Sequence, residues 1–298
     1  MAHQVASGAK PIGHFVMLFH YWVQLSGPIQ TLANGFGTRP LDFKGGQIEF
    51  TNIQSSYDGR EPVLKDMTFN MLPNQTTAIV GKLGGGKSMI FKLLLQFYDL
   101  KAGAICIDGQ DITGVMIESL QATFGIVPQT SELFNGTITE NIRIAKPDAT
   151  DDDVAHACDA AALHDTVMGF PDQYNTMVGV GGKKLSSSEL QRVAIAQAFI
   201  KDPNIVLLDE ATSSLDSKTE ARVQQSLTKL CAGQTMMVIA HHLSTIAKAD
   251  QILVVNDSKI MEEGTHSELL EQGGHYHYLC NLQGVFTSIK DDSSSTCS

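Results

Sequence analysis

The sequence predicts a layered α/β fold built around a mainly parallel sheet, and three observations carry that prediction. Short apolar runs at Thr77–Val80, Asn204–Leu208 and Thr235–Ala240 read as buried strands. Between them lie longer stretches with apolar residues at helical spacing, and strands alternating with helices build a sheet covered by helices. No internal repeat is present, so the 298 residues hold one such unit and not a tandem.

Residues 1–44 are mixed and lack sustained periodicity, and organised structure is expected to begin at Gly45-Gly46. Gln47–Asn52 alternates like a strand, Val63–Asn70 gives a second, and Pro73-Asn74-Gln75 marks a turn. Ser88–Tyr98 reads as a helix with Ile90, Phe91, Leu93, Leu94, Leu95 and Phe97 at helical spacing. Thr150–Phe170 is helical in pattern and opens with Asp151, Asp152 and Asp153, which suit the positive end of a helix dipole. Ser186–Ile200 is opened by serines and closed before Pro203, and Ser217–Leu230 forms a further helix. Ile252–Val255 and Lys259–Met261 form a closing hairpin, and the Ser- and Asp-rich tail from Asp291 is expected to be disordered.

Composition removes several function classes. A net charge of −11 disfavours a general nucleic-acid partner, which would need clustered Lys and Arg. The five cysteines are scattered with no C-x-x-C pair, which argues against a disulfide framework or structural zinc and fits a reducing compartment. No stretch approaches the ~20 apolar residues of a membrane helix. His14–Val23 falls well short and holds two histidines, and no targeting peptide is visible.

Gly81-Lys82-Leu83-Gly84-Gly85-Gly86-Lys87-Ser88 fits the phosphate-loop pattern and lies between an apolar strand and an amphipathic helix. Glycines let successive main-chain N–H groups wrap a phosphate where a Cβ would obstruct. The helix behind adds its free N–H groups and dipole. Lys87 would bridge the β- and γ-phosphates of ATP, and the Ser88 hydroxyl would be a ligand to Mg²⁺. Further on, Ile205–Leu208 runs into Asp209 and Glu210. An Asp at this place holds Mg²⁺, and a Glu directly after it polarises the attacking water as general base.

Loop and acidic strand alone leave many ATPases and GTPases open, and the intervening motifs narrow the field. Val127-Pro128-Gln129, Leu185-Ser186-Ser187-Ser188-Glu189-Leu190-Gln191-Arg192, Asp209–Asp216 and Ile239–Thr245 follow in an order and spacing that resembles the nucleotide-binding domain of ABC exporters. Lys201-Asp202-Pro203 and a cysteine near the carboxyl terminus are most similar to the mitochondrial half-transporters of the iron–sulfur and heavy-metal-tolerance branch.

The resemblance covers residues 45–284. It implies a phosphate-loop NTPase with a RecA-like core, an antiparallel β-subdomain before it and a helical subdomain filling roughly Thr130–Lys201. It also implies roles for single residues. Tyr57 stacks on adenine, while the main chain of Gly81, Gly84, Gly85, Gly86 and Met89 with Lys87 and Ser88 binds the phosphates. Gln129 reaches Mg²⁺ and the attacking water, beside the metal ligands Ser88 and Asp209. Glu210 is the base, His241 holds the water in line, and the turn from Ser186 to Glu189 binds the γ-phosphate on a second cassette. Asp216 lies across the interface between the two cassettes.

The partners implied are that second cassette and an exporter's transmembrane domain, on the matrix side of the mitochondrial inner membrane. Residues 1–44 then read as a remnant of the linker from that membrane domain, and 285–298 as a tail. The sequence departs from the family pattern at Ser187 and Ser188, which replace two glycines. If either position needed φ > 0, a Cβ there would cost about 1–2 kcal/mol. Leu83, Met89, Val180 and His242 are further departures. Two functions follow: an ATPase that drives export, or an ATP-binding regulatory or decoy cassette with impaired hydrolysis.

Overall fold

The computed structural model describes residues 39–56, 62–82, 84–209, 217–230, 233–239 and 246–282. In chain order, β1 (Ile48–Ser56), β2 (Pro62–Met71) and β3 (Thr76–Gly81) lead into α1 (Lys87–Leu94). Then come β4 (Ala102–Ile107), β5 (Gln110–Asp111), α2 (Ile117–Thr123) and β6 (Phe124–Val127). Four helices follow: α3 (Ile138–Arg143), α4 (Asp151–Ala160), α5 (His164–Met168) and α6 (Ser187–Lys201). The chain continues with β7 (Ile205–Asp209), α7 (Ser217–Leu230) and β8 (Thr235–Ile239). It closes with β9 (Gln251–Asn256), β10 (Lys259–Gly264), α8 (His266–Gln272) and α9 (His275–Leu282).

The central sheet has the order β10-β9-β3-β8-β7-β6, parallel from β9 to β6, with β10 antiparallel at one edge. The parallel strands are mostly apolar because both faces are covered, whereas the edge strand β10 (Lys259–Gly264) is half-exposed and carries Lys259, Glu262 and Glu263. Ala78, Val80, Val206, Leu208, Ile252 and Val254 face one core, shared with α3–α7. Ile79, Ile205, Leu207, Met237, Leu253 and Val255 face the other, shared with α1 and with a second, antiparallel sheet in the order β2-β1-β4-β5. Period-two alternation thus assigns each strand residue to one of two layers. The expected antiparallel sheet, parallel core and helical unit between Thr130 and Lys201 are all present.

The segment entering β1 is fastened to the β4–β5 turn. Main-chain N–H groups of Lys44, Gly45, Gly46 and Gln47 donate to the Asp108 carboxylate at 2.8–3.1 Å. Burial opposes ionisation there, yet these donors hold the Asp108 carboxyl below its ordinary range.

Two helices end earlier than their apolar spacing predicts. The first stops at Leu94, because Gln96 turns left-handed (φ 56°) and the N–H groups of Gln96 and Phe97 close back on Leu93 and Lys92. Phe97 consequently leaves the core and is 60% exposed. The stretch Thr150–Phe170 is two helices, split where Ala162 (φ 54°) and Leu163 make the same closure onto Asp159 and Cys158. Among the described residues no helix is long and apolar enough to cross a membrane.

Candidate functional site

Parallel strands present all their carboxyl ends along one edge of the sheet, where ligands of open α/β folds bind. The glycine-rich turn leaves β3 at this edge and Asp209 ends β7 at the same edge. Register fixes their level: Asp209 pairs with Ile239 of β8, and Ile239 pairs with Ile79 of β3. Asp209 therefore stands two places from β3, with β8 between, and two residues below the start of the loop. Gln129 follows β6, whose Val127 pairs with Leu208, so the exposed Gln129 joins the same edge.

The loop's glycines answer to different constraints. A Cβ on Gly81 would lie 1.9 Å from the Val255 carbonyl oxygen of β9, and one on Gly86 would lie 2.6 Å from the Val63 carbonyl oxygen of β2. Neither backbone can yield, so both positions exclude a side chain. Gly84 (φ +79°) would meet nothing within 4 Å and needs glycine for its left-handed conformation alone. Gly85 donates its N–H to the Lys82 carbonyl at 3.2 Å and tightens the turn.

Gly86 is the N-cap of α1 and supplies no side-chain cap, which leaves the helix's first turn to an external acceptor. The Lys87 side chain is buried at 6% exposure, with Nζ donating to the carbonyls of Gly81 and Lys82, each at 2.9 Å. The ammonium is thereby folded over the loop it belongs to. Ser88 is exposed beside it. Met89 buries its side chain in the core and donates its N–H to Gly86, so it serves the loop through packing and main chain.

The donor set suits the expected groups. Loop amides, an ammonium and a capless helix start accept a triphosphate. Ser88 and Asp209 supply the hard oxygens that Mg²⁺ prefers, and such sites complete their coordination with water and phosphate oxygens.

Ser186 and Glu189 stand elsewhere. Ser186 caps α6 in a reciprocal capping box, its Oγ accepting from the Glu189 N–H while the Glu189 carboxylate accepts from the Ser186 N–H at 2.7 Å and Oγ at 2.8 Å. α6 packs on β6, three places from β3 in the sheet. Ser187 and Ser188 take ordinary helical positions with negative φ, so the conditional cost of a Cβ at φ > 0 does not arise. An impaired cassette loses that argument. Val180 is 67% exposed beside Phe134 at 71%, both on loops joined by the bond from the Gly181 N–H to the Leu133 carbonyl.

Sequence reasoning missed Asn141, fully buried, whose side chain bonds Phe134 and Thr137 main-chain groups and shapes the loop after Gln129. A lone Asn in a short helix gives no sequence signal. Tyr57, Leu83, Glu210, Asp216, His241 and His242 lie outside the described residues, as do the proposed linker remnant up to residue 38 and the tail from 285.

These features place the molecule among the phosphate-loop nucleoside triphosphatases, in which main-chain amides do most of the gripping. Comparison with known proteins then narrows the class. The ABC transporter family model matches residues 64–213, and the chain belongs to that family.

The chain is 43% identical to the heavy metal tolerance protein of Schizosaccharomyces pombe, over 92% of this chain and 36% of that protein. It is 51% identical to human ATP-binding cassette sub-family B member 6, over 86% of this chain and 30% of that one. With ABC transporter B family member 24, mitochondrial, of Arabidopsis thaliana it shares 46% identity over 82% of this chain and 36% of the relative. A solved structure of a bacterial Atm1-family ABC exporter with ATP bound superposes with a TM-score of 0.81 at 41% identity, covering 83% of this chain and 43% of that one. The branch expected from the motifs is the one these relatives occupy. The chain spans about a third of the length of the curated relatives it matches.

Proposed function

We propose that this cassette binds MgATP and hydrolyses it to drive export, working with a second cassette and a transmembrane domain. The observation that carries the reading is Lys87, its ammonium folded over a glycine turn at the same carboxyl edge of the sheet as the acid that ends β7. Loop amides and the start of α1 bind the phosphates and Lys87 bridges the terminal ones. Ser88 and Asp209 would hold Mg²⁺, with Gln129 reaching the same place. When bound, the ion neutralises charge on the phosphate oxygens.

Glu210, next in sequence to Asp209, takes a proton from the attacking water, and His241 holds that water in line. Tyr57 stacks on the adenine. The Ser186 turn opens α6, a helix that packs on β6 three places from β3, which supports its serving the nucleotide of a second cassette, as in a two-cassette sandwich. The similarity to a protein whose printed name is mitochondrial supports a mitochondrial membrane, with the cassette on the matrix side of the inner one.

The test is titration of a fluorescent ATP analogue into Lys87→Ala. A charge-assisted contact to phosphate is worth about 1.5–3 kcal/mol, so affinity is expected to fall about 10- to 100-fold. Unchanged affinity would remove the reading.

A further inference from the structure

Among the described residues, glycine follows an acid or amide side chain at Asp108-Gly109 and at Asn135-Gly136, and the two dipeptides are held very differently. Asp108 sits in the β4–β5 turn, its carboxylate gripped by the main-chain N–H groups of Lys44, Gly45, Gly46 and Gln47. Asn135 lies in the loop between β6 and α3 and is exposed. Among the described residues its side chain has no hydrogen-bond partner, and the Gly136 N–H donates to none. The nearby Glu140 carboxylate is committed to the Thr137 N–H at 2.7 Å in the cap of α3.

An unheld asparagine amide beside a free glycine nitrogen is a reactive pair. The nitrogen of Gly136 gives its proton to solvent hydroxide and attacks Cγ of Asn135. A C–N bond forms, and the side-chain nitrogen takes up a proton and leaves as ammonia. Water then opens the cyclic imide at either carbonyl. One route gives aspartate; the other gives isoaspartate, whose main chain runs through the side-chain carbons and is longer by a methylene. Water enters, ammonia leaves, and nothing is oxidised. A Cβ on the following residue would crowd the attack, and every other described asparagine is followed by a residue that has one. Asp108 does not take this route, because its carboxylate is pinned and its donors favour the ionised form, which resists attack.

The position of Asn135 gives the reaction a structural consequence. The Gly181 N–H bonds the Leu133 carbonyl at 3.1 Å, and the Val178 N–H bonds the Gly136 carbonyl at 3.0 Å. These bonds join the loop of Phe134 to the loop of Val180, and residue 135 lies between their anchor points. A methylene added there puts the two anchors out of step. We propose that Asn135 is a site of spontaneous deamidation, and that its isoaspartate product unfastens the Phe134 loop from the Val180 loop. The change is slow, one-way and independent of nucleotide, so it goes beyond the proposed function and does not rest on it.

The test ages the full chain at neutral and at alkaline pH and maps its peptides by mass spectrometry that separates isoaspartate from aspartate. Position 135 is expected to gain about 1 Da as amide becomes acid, faster at alkaline pH because the attacking nitrogen must lose its proton. Asp108 should stay unchanged. Gly136→Ala should slow the conversion about tenfold, or about 1.4 kcal/mol in the barrier. Its Cβ would stand 2.8 Å from Glu140 Oε2, the tip of a side chain that can turn aside. Asn135→Gln, which leaves Gly136 in place, should abolish the conversion. An Asn135 that persists in the folded chain, whatever the denatured chain does, overturns the site.

Amide hydrogen exchange then compares aged chain, fresh chain and Asn135→Asp, which brings the charge without the extra methylene. Val178 and Gly181 should exchange about fivefold faster in the isoaspartate form, as loss of a main-chain hydrogen bond supports. They should not change in Asn135→Asp. Equal exchange in aged and fresh chains, or equal acceleration in Asn135→Asp, overturns the unfastening.

Discussion

Two turns in this chain lead into helices and both are proposed to bind phosphate, yet they are built on opposite terms. At the start of α1, glycine is compulsory for reasons internal to the fold, since Gly81 and Gly86 press against the main chains of β9 and β2. At the start of α6, Ser187 and Ser188 occupy the places where the family pattern has glycine, and they sit in relaxed helical geometry behind a complete capping box. The lesson is that a glycine in a phosphate-binding turn has two separable uses. It can meet a steric demand of the chain's own backbone, or it can leave room for a ligand to come close. Only the first use is visible inside one cassette, and there the chain has kept glycine.

The widest test of this contrast is Gly86→Ala set beside Gly84→Ala. Gly86 combines φ +87° with a backbone clash, whereas Gly84 has φ +79° and open space. Left-handed backbone costs a residue with Cβ about 1–2 kcal/mol, and forced overpacking adds about 1–3 kcal/mol. Gly86→Ala should therefore lose about 2–5 kcal/mol, read from the denaturant midpoint, and Gly84→Ala only the conformational part. Equal losses would mean that conformation alone, without the steric contact, explains the loop.

A smaller effect is expected at α6. Ser186→Ala removes the cap and should cost about 1 kcal/mol of stability. Restoring glycine at Ser187 and Ser188 should also lower the melting temperature slightly, because glycine is a poor helix former. A gain in melting temperature on Ser187→Gly or Ser188→Gly would show that the serines are strained after all.

The gentlest test uses Asp108, where a run of main-chain amides holds an anion that the chain itself provides. Its carboxyl is held below the ordinary value of 3.8. The contribution is therefore complete above the unfolded value and is lost as pH falls through the folded one. Asp108→Asn should reproduce the acid form at neutral pH, and the amides of residues 44–47 should exchange faster while β3 and α1 do not change. Unaltered exchange would mean that the turn holds itself without its anion, unlike the loop that follows β3.

The resemblance supplied the helical insertion, whereas the sequence itself announced the phosphate loop, the acid at the end of β7 and the parallel sheet. Each is a local signal: a spacing of glycines around Lys87, an apolar run stopped by a charge, a change of hydrophobic period. The ends of α1 and α4 were not legible, because the left-handed closures there use Gln96 and Ala162, side chains that carry no stop signal. Asn141 was equally silent, since its meaning lies in the loop it bonds.

By itself, then, the sequence nominated candidates for touching a triphosphate and its metal ion, because that chemistry depends on residue type and short spacing. Only the tertiary structure decided that Asp209 stands level with Ile79 two strands away, that Gly81 and Gly86 are closed to any side chain, and that Ser187 and Ser188 are at ease. Those facts depend on strand register and on backbone brought in from distant parts of the chain. No local pattern encodes them, because they are properties of packed neighbours.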